Sequence, residues 1–395
     1  MHKQDFPILA DSKIVYLDSA ASAQKPESVL KSMDDFYRTY YANVHRGQCR
    51  IAVQATEQYE RARCTVADFI HAMPDTIVFT KGTTESINLV ASGYERLLQS
   101  GDEVLVCIAE HHANFVPWQQ ACLRSGAVFK VFDVTQDGHI DMTDFRAKLT
   151  PRTKIVAVAQ LGNVLGVENP IKEIVTLAHS VGARVLVDGA QSCAHMPVDV
   201  TDLDCDFFAF SGHKVYGPTG IGVLYAKAEA LSELPPYQFG GDMIKHVGIT
   251  QTTFADGPAK FEAGTPPFVE AVGLASALDY IQNIGLDNIS KYEEELTSFL
   301  CRELSEISGV TLLGNDCCKK GIVSFNVTGI HPADIAFALT QNNICVRVGH
   351  HCAMPIHERF HQTVSLRVSL GLYNDLSDIE CFLMSLRKTL SLFGV

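Results

Sequence analysis

The chain has 395 residues, of which 47% are hydrophobic, and a net charge of −13. That length is more than one ordinary domain and supplies ample core. The acidic balance, with no Lys/Arg cluster, argues against nucleic acid or an anionic membrane surface as partner.

No apolar run approaches the ~18 residues of a membrane span. Met1–Asp11 has acids and a proline where a secretory signal would be apolar. A soluble, cytoplasmic protein is the expectation. Twelve cysteines are scattered without a C-x-x-C pair, many of them inside apolar patterns. Such cysteines read as small buried hydrophobes in a reducing compartment. Cys317-Cys318 fall in a polar loop and lack metal-ligand spacing.

Ile14–Leu17 reads as a short strand leading into Asp18-Ser19-Ala20-Ala21. Pro26 opens a helical stretch to about Tyr40, and a second helix spans roughly Ile51–His71. Between them, Asn43-Val44-His45-Arg46-Gly47 is polar and irregular. From Thr76 short apolar strands alternate with helices: Ile77–Thr80, a helix from Thr84, Glu103–Cys107, a helix over Phe115–Arg124, and Val128–Phe132. The alternation continues with Ile155–Ala159, a helix over Ile171–Val181, and Val185–Asp188. This pattern predicts an α/β fold with a mostly parallel sheet covered on both faces, and ligands at the carboxyl ends of its strands.

After about residue 260 two helical stretches, Phe268–Asn283 and Leu286–Ile307, lead to strands near Val310–Leu313, Ile322–Val327 and Ile344–Val348. A terminal helix begins near Asp375. The expected organisation is a large domain over 15–275 and a smaller α+β domain from 1–14 and 276–395.

Several turns could carry chemistry. In Phe207–Lys214 an apolar run ends at a small polar turn bearing one lysine, followed by Val215–Gly220 and a second apolar run, Ile221–Tyr225. A lysine there is either a surface residue in a hairpin or a desolvated amine suited to attack a carbonyl. Ser211 and His213 beside it could bind an anion. Gly82-Thr83-Thr84, between strand and helix, is an anion site or a plain N-cap. Asp188 ends an apolar strand, where it caps the next turn or pairs with a protonated heterocyclic nitrogen. In Glu110-His111-His112-Ala113-Asn114 the adjacent histidines diverge, which disfavours a metal. One imidazole could instead stack on a planar cofactor. In Arg347-Val348-Gly349-His350-His351-Cys352 the cysteine lies in a polar Gly/His loop, where nearby His or Arg favours the thiolate.

Taken together these stretches resemble the pyridoxal-phosphate enzymes of the aspartate-aminotransferase-like fold (fold type I, class V aminotransferases). More narrowly, they resemble group II cysteine desulfurases and selenocysteine lyases of the SufS/CsdA type. The matching motifs include Tyr16–Ala21, Asn43–Gly47, Gly82–Glu85, Glu110–Asn114, Asn163–Gly166, Val187–Gln191, Ser211–Lys214, Phe261–Pro266 and Arg347–Ala353. They follow the family's order through nearly the whole chain.

The resemblance implies that Lys214 is the covalent attachment point of pyridoxal 5'-phosphate. Asp188 would pair with its ring nitrogen, Gln191 would touch its hydroxyl, and His111 would stack on the ring. Thr83, Ser211 and His213 would hold the phosphate, with Thr265 arriving from the second subunit of a homodimer. Asn163 and Arg367 would bind the carboxylate of L-cysteine, with Arg347 and His45 close by. Cys352 would accept the sulfur as a persulfide and pass it to an acceptor protein of the SufE/CsdE type, for iron–sulfur or related assembly. Selenocysteine lyase activity is the alternative. A kynureninase- or aminotransferase-like reaction and a non-enzymatic sulfur scaffold are the further readings; the cysteine loop argues against the first, and Lys214, Asp188 and His111 argue against the second. Gln160, Gly162, Pro267 and the pair Gly240-Gly241 depart from the family's usual residues.

Overall fold

The computed structural model describes residues 2–314 and 319–394, so Cys317 and Cys318 lie outside the described residues. A seven-stranded sheet is built from β2 (Ile77–Thr80), β3 (Glu103–Cys107), β4 (Val128–Phe132), β5 (Thr153–Ala159), β6 (Arg184–Asp188), β7 (Phe207–Ser211) and β8 (Gly222–Ala226). Its order is β2-β8-β7-β6-β5-β3-β4. The pairs from β7 through β6, β5 and β3 to β4 are parallel. Only β8 runs against its neighbours.

Successive residues of a strand point to opposite faces, so a strand covered on both sides is apolar throughout. In β6, Val185 and Val187 enter one core while Leu186 enters the other. The same division holds in β3, with Leu105 and Cys107 on one side and Val104 and Val106 on the other. This is why the strands read as unbroken apolar runs.

A second sheet, β11 (Val310–Leu312), β12 (Ile322–Val327), β15 (Ser365–Ser369) and β14 (Arg347–Gly349), is antiparallel in that order. One face packs on the helices Leu286–Ser305, Pro332–Thr340 and Leu376–Leu392 through Leu300, Leu339, Phe325, Phe382 and Leu386. The sequence reading took Ile344–Val348 as one strand. It is broken into β13 (Ile344–Cys345) and β14. β13 pairs in parallel with β1 (Val15–Tyr16), and Val15 and Leu17 join the smaller core. Together β1 and β13 form a two-stranded sheet of their own. Further out, β9 (Ile244–Val247) and β10 (Thr252–Phe254) form an antiparallel ribbon with exposed Val247 and Ile249 at its end. Among the described residues no helix is long and apolar enough to cross a membrane.

Candidate active site

β2, β3, β5, β6 and β7 share one direction, so their carboxyl ends meet on one edge. The turns leaving them carry Thr83, His111, Asn163, Asp188 and Lys214. β8 runs the other way and brings its first residue, Gly222, to that edge. There a Cβ on Gly222 would lie 2.3 Å from the Gly82 Cα. The absence of a side chain lets the helix Thr83–Leu97 start against the sheet.

A cavity of about 240 Å³ opens at this edge, lined by Thr83, His111, Asn163, Asp188, Ser211, His213, Lys214, Arg347, His351, Cys352 and Arg367 among others. The Thr83 N–H donates to Ser211 Oγ at 2.8 Å, and the two hydroxyls are also 2.8 Å apart. Two hydroxyls at a helix N-terminus favour an anion there. Burial, with Lys214 and Lys25 nearby, holds His213 down to about 4, so the ring is neutral.

Asp188 is buried, and one oxygen accepts from the Ala190 N–H at 2.9 Å. Burial raises its pKa, while Lys214 and that N–H pull it back. Burial lowers the Lys214 amine below the usual lysine range. Asp188 and Cys352 oppose that shift, whereas Arg367 and Arg347 add to it. His111 accepts the Ala113 N–H on Nδ1 at 3.0 Å, so its proton sits on Nε2. Burial, then the cations Lys214, Arg367 and Arg347 with His112, hold it down to about 3.

Arg367 is almost wholly buried. It donates to the Asn163 carbonyl at 2.9 Å and to Asp18 at 3.2 Å, and its Nε has no partner among the described residues. Arg347 stands opposite it on β14. Two cations lining one cavity, one of them with an unused donor, suit a carboxylate ligand. Asn163 itself donates to the His351 carbonyl at 2.7 Å and so clasps the cysteine loop.

Cys352 lines this cavity and also a wider groove of about 590 Å³ that includes Thr84, His112, Gln120, Arg124 and Tyr237. Cys352 therefore stands where the cavity meets the wider groove. Its carbonyl accepts the His112 N–H at 2.6 Å, and the His112 ring accepts the Met354 N–H at 3.0 Å. Sequence reasoning missed this clamp. The doubled His111-His112 was the available signal: one ring serves the cavity and the other holds the loop. Glu110 was also passed over. Burial raises this carboxyl to about 8, with Asn114 and the Ala159 N–H as its partners at 2.7 and 2.9 Å.

Three expected residues are not gathered into the cavity. Gln191 donates to the Ala20 carbonyl at 3.0 Å behind it. Thr265 is exposed on the loop after Phe261. His45 pairs with Glu60 at 2.8 Å in a separate groove that also holds Gly264 and Pro266. His45 and Thr265 thus share a region of their own, because Glu262 of the same loop is drawn to Arg63 at 2.8 Å. Of the departures, Gln160 is buried, and its Oε1 has no partner among the described residues. Among the described residues no group of three or more His, Cys, Asp or Glu is arranged to hold a metal ion.

Residues 15–382 match the family model described as aminotransferase class-V. A probable cysteine desulfurase of Halalkalibacterium halodurans is 46% identical over 99% of this chain and 98% of its own length. The chain belongs to the class-V aminotransferase family, among the group II cysteine desulfurases of the SufS/CsdA type. The fold agrees. The cysteine desulfurase CsdA of Escherichia coli, in an S-sulfonic acid form, is 39% identical and superimposes with a TM-score of 0.92 over 99% of this chain and 98% of that one. A cysteine desulfurase of Thermococcus onnurineus, solved without ligand, is 38% identical with a TM-score of 0.95, over 100% of this chain and 98% of its own. The fold is that of fold-type-I pyridoxal-phosphate enzymes, and pyridoxal 5'-phosphate is the family's cofactor.

Proposed function

We propose that this chain is a pyridoxal-phosphate-dependent cysteine desulfurase that converts L-cysteine to L-alanine and keeps the sulfur as a persulfide on Cys352. The observation that carries the reading is one cavity shared by a desolvated lysine, a buried aspartate, two arginines and a loop cysteine.

The buried polar groups fit the cofactor. Thr83, Ser211 and His213 would hold its phosphate at the helix N-terminus. Asp188 would keep its ring nitrogen protonated, His111 would lie against the ring, Gln191 would brace the Ala20 turn beside it, and Lys214 would attach it. When bound, the protonated ring supplies a sink for the electron pair left on the substrate's Cα.

The chain's own groups do the rest. Arg367 and Arg347 bind the substrate carboxylate, and Asn163 orders the wall between them and Cys352. The Lys214 amine, whose burial disfavours the ammonium form, takes the Cα proton. The Cys352 thiolate attacks the substrate sulfur: an S–S bond forms, the C–S bond breaks, and the carbon is protonated to alanine. Neutral His111, with its proton on Nε2, can donate in this step.

The groove outside Cys352 supports onward transfer to an acceptor of the SufE/CsdE type. Thr265 and His45, standing apart from the cavity of their own chain, support a homodimer in which each reaches the other subunit's site. This reading divides the chain into a large cofactor-binding part, 15–275, and a smaller part, 1–14 and 276–395, bearing the cysteine loop.

The test is alanine and sulfide release from L-cysteine with a reductant, for wild type and Cys352→Ser. Equal amounts of the two products, lost in the variant, are expected. Alanine at the wild-type rate from Cys352→Ser would remove the persulfide step, and no alanine from the cofactor-loaded wild type would remove the activity.

A further inference from the structure

Between β14 and the helix Met354–Arg359 two consecutive residues, His351 and Cys352, have φ of 49° and 55°. The left-handed region disfavours residues with a Cβ by about 1–2 kcal/mol each, so the loop needs external restraint. Asn163 and His112 supply part of it, through the carbonyls of His351 and Cys352.

Within the loop the His350 ring accepts the Cys352 N–H on Nδ1 at 3.2 Å, and a further restraint comes from beneath. His357 Nδ1 lies 2.9 Å from the Ala353 carbonyl, His357 Nε2 lies 3.0 Å from Ser365 Oγ, and Ser365 Oγ lies 3.0 Å from His351 Nε2. All four residues are buried. A carbonyl only accepts, so His357 carries its proton on Nδ1. Its Nε2 then accepts from the Ser365 hydroxyl, and the Ser365 oxygen accepts from His351 Nε2–H. The chain has one direction when both rings are neutral, and burial favours neutrality in each. It leaves His351 Nδ1 without a proton, and that atom is buried without a partner among the described residues.

We propose that Ser365 and His357 are positioning residues for sulfur transfer: their directed hydrogen-bond chain to His351 holds Cys352 in the left-handed conformation that keeps its thiol on the cavity wall. Neither residue lines the cavity, so neither touches substrate. Both act through the loop, with Ala353 tied at one end of the chain and His351 at the other. The chain also fixes His351 as a neutral ring next to Arg367 and Arg347. The arginines therefore present their charge to the substrate without a third cation among them. The inference rests on the sulfur-acceptor role proposed for Cys352, but its geometric core does not.

The experiment compares Ser365→Val with Ser365→Thr in the cofactor-loaded enzyme. The two side chains have nearly the same shape and differ in the hydroxyl that links the rings. One readout is kcat and KM for alanine formation from L-cysteine. The other is the iodoacetamide alkylation rate of Cys352, followed on its own peptide by mass spectrometry because Cys49 and Cys64 are also exposed.

Ser365→Val should lower kcat by roughly ten- to a hundredfold, the scale of a misplacement of about 1 Å, with KM little changed. It should also speed alkylation of Cys352, and Ser365→Thr should return both values toward wild type. Equal behaviour of the two variants, or a wild-type kcat in Ser365→Val, overturns the proposal. If the wild type makes no alanine the desulfurase reading fails, while the alkylation comparison still decides the positioning role. Should Ser365→Val not fold, His357→Gln replaces it. That residue can still reach Ser365 but cannot also tie Ala353, and the same faster alkylation is expected, with an unchanged rate counting against the proposal.

Discussion

Arg347 and Arg367 are direct cross-strand neighbours, paired across β14 and β15 with their side chains on one face. Like charges directly opposite each other in a sheet are destabilising. Asp18 offsets only part of this, through one contact with Arg367 at 3.2 Å. An anionic ligand between the two guanidinium groups completes the arrangement. Arg347→Lys should raise KM for L-cysteine by roughly tenfold, on the scale of one charge-assisted hydrogen bond of ~1.5–3 kcal/mol, with kcat nearly intact. An unchanged KM would separate Arg347 from carboxylate binding.

Lys214 should be harder to replace. Its amine is proposed both as the attachment point for the cofactor and as the proton acceptor. Lys214→Ala should abolish the visible absorption change on adding cysteine and reduce turnover by at least the roughly 10²–10⁴-fold typical of a lost general base. Turnover within tenfold of wild type would assign the proton transfer elsewhere.

Arg63 and Glu262 form a two-pronged ion pair at 2.8 and 2.9 Å, and the carboxylate also accepts from Tyr59 at 3.1 Å and from the Phe79 N–H at 2.7 Å. Breaking a buried pair from one side typically costs about 3–5 kcal/mol. Arg63→Ala should therefore lower the urea midpoint markedly. If Thr265 acts in the partner's site, it should also weaken cofactor binding, because the Glu262 loop carries Thr265. A midpoint within error of wild type would show that the pair contributes nothing net.

Acid should destabilise the cofactor-free protein. Burial holds His111 at about 3, His213 at about 4 and His351 at about 2, against ~6.5 in an unfolded chain. Below that value the unfolded chain binds protons that the folded chain does not, so stability falls as the pH falls. The decline begins near pH 6.5 and continues to the folded values. Glu110, raised by burial to about 8, works the other way over the same range, so urea unfolding at about pH 7.5 and about pH 5 is read in a Glu110→Gln background, where equal stability at both contradicts the buried neutral rings.

Gly222→Ala is a fourth kind of change, since its Cβ would meet the Gly82 backbone at 2.3 Å. The helix start must shift, with an overpacking cost of ~1–3 kcal/mol. Because Thr83 belongs to that start, cofactor affinity should fall by roughly ten- to a hundredfold. Wild-type affinity in a folded Gly222→Ala would mean that Thr83 does not set the phosphate site.

Much of this was legible in the chain itself. Ile77–Thr80, Glu103–Cys107 and Val128–Phe132 are strands with the bounds their apolar runs suggested. Asp188, His111, Lys214 and Cys352 all reach one cavity from turns that the motifs marked. The reversed direction of β8 had no local signature, because an apolar strand reads the same either way. The break between β13 and β14 was equally hidden, since β13 pairs with β1 more than 300 residues earlier while β14 turns to β15 nearby. Ser365 and His357 looked like an ordinary strand residue and an ordinary helix residue. Their role appears only when the rings and the hydroxyl are seen within hydrogen-bond reach.

The pairing of Val15–Tyr16 with Ile344–Cys345 also bears on how the chain is made. On the ribosome the first strand emerges about 330 residues before the segment that will cover its edge. At ~5–20 residues per second it waits roughly a quarter of a minute to a minute. Throughout that interval an apolar stretch, Ile14–Leu17, remains without its native neighbour. The large sheet can assemble early, whereas the segment that carries the cysteine loop is synthesised only after it. A nascent chain truncated before Ile344 would keep a sheet able to hold cofactor residues such as Lys214 and Asp188, but would have no sulfur acceptor.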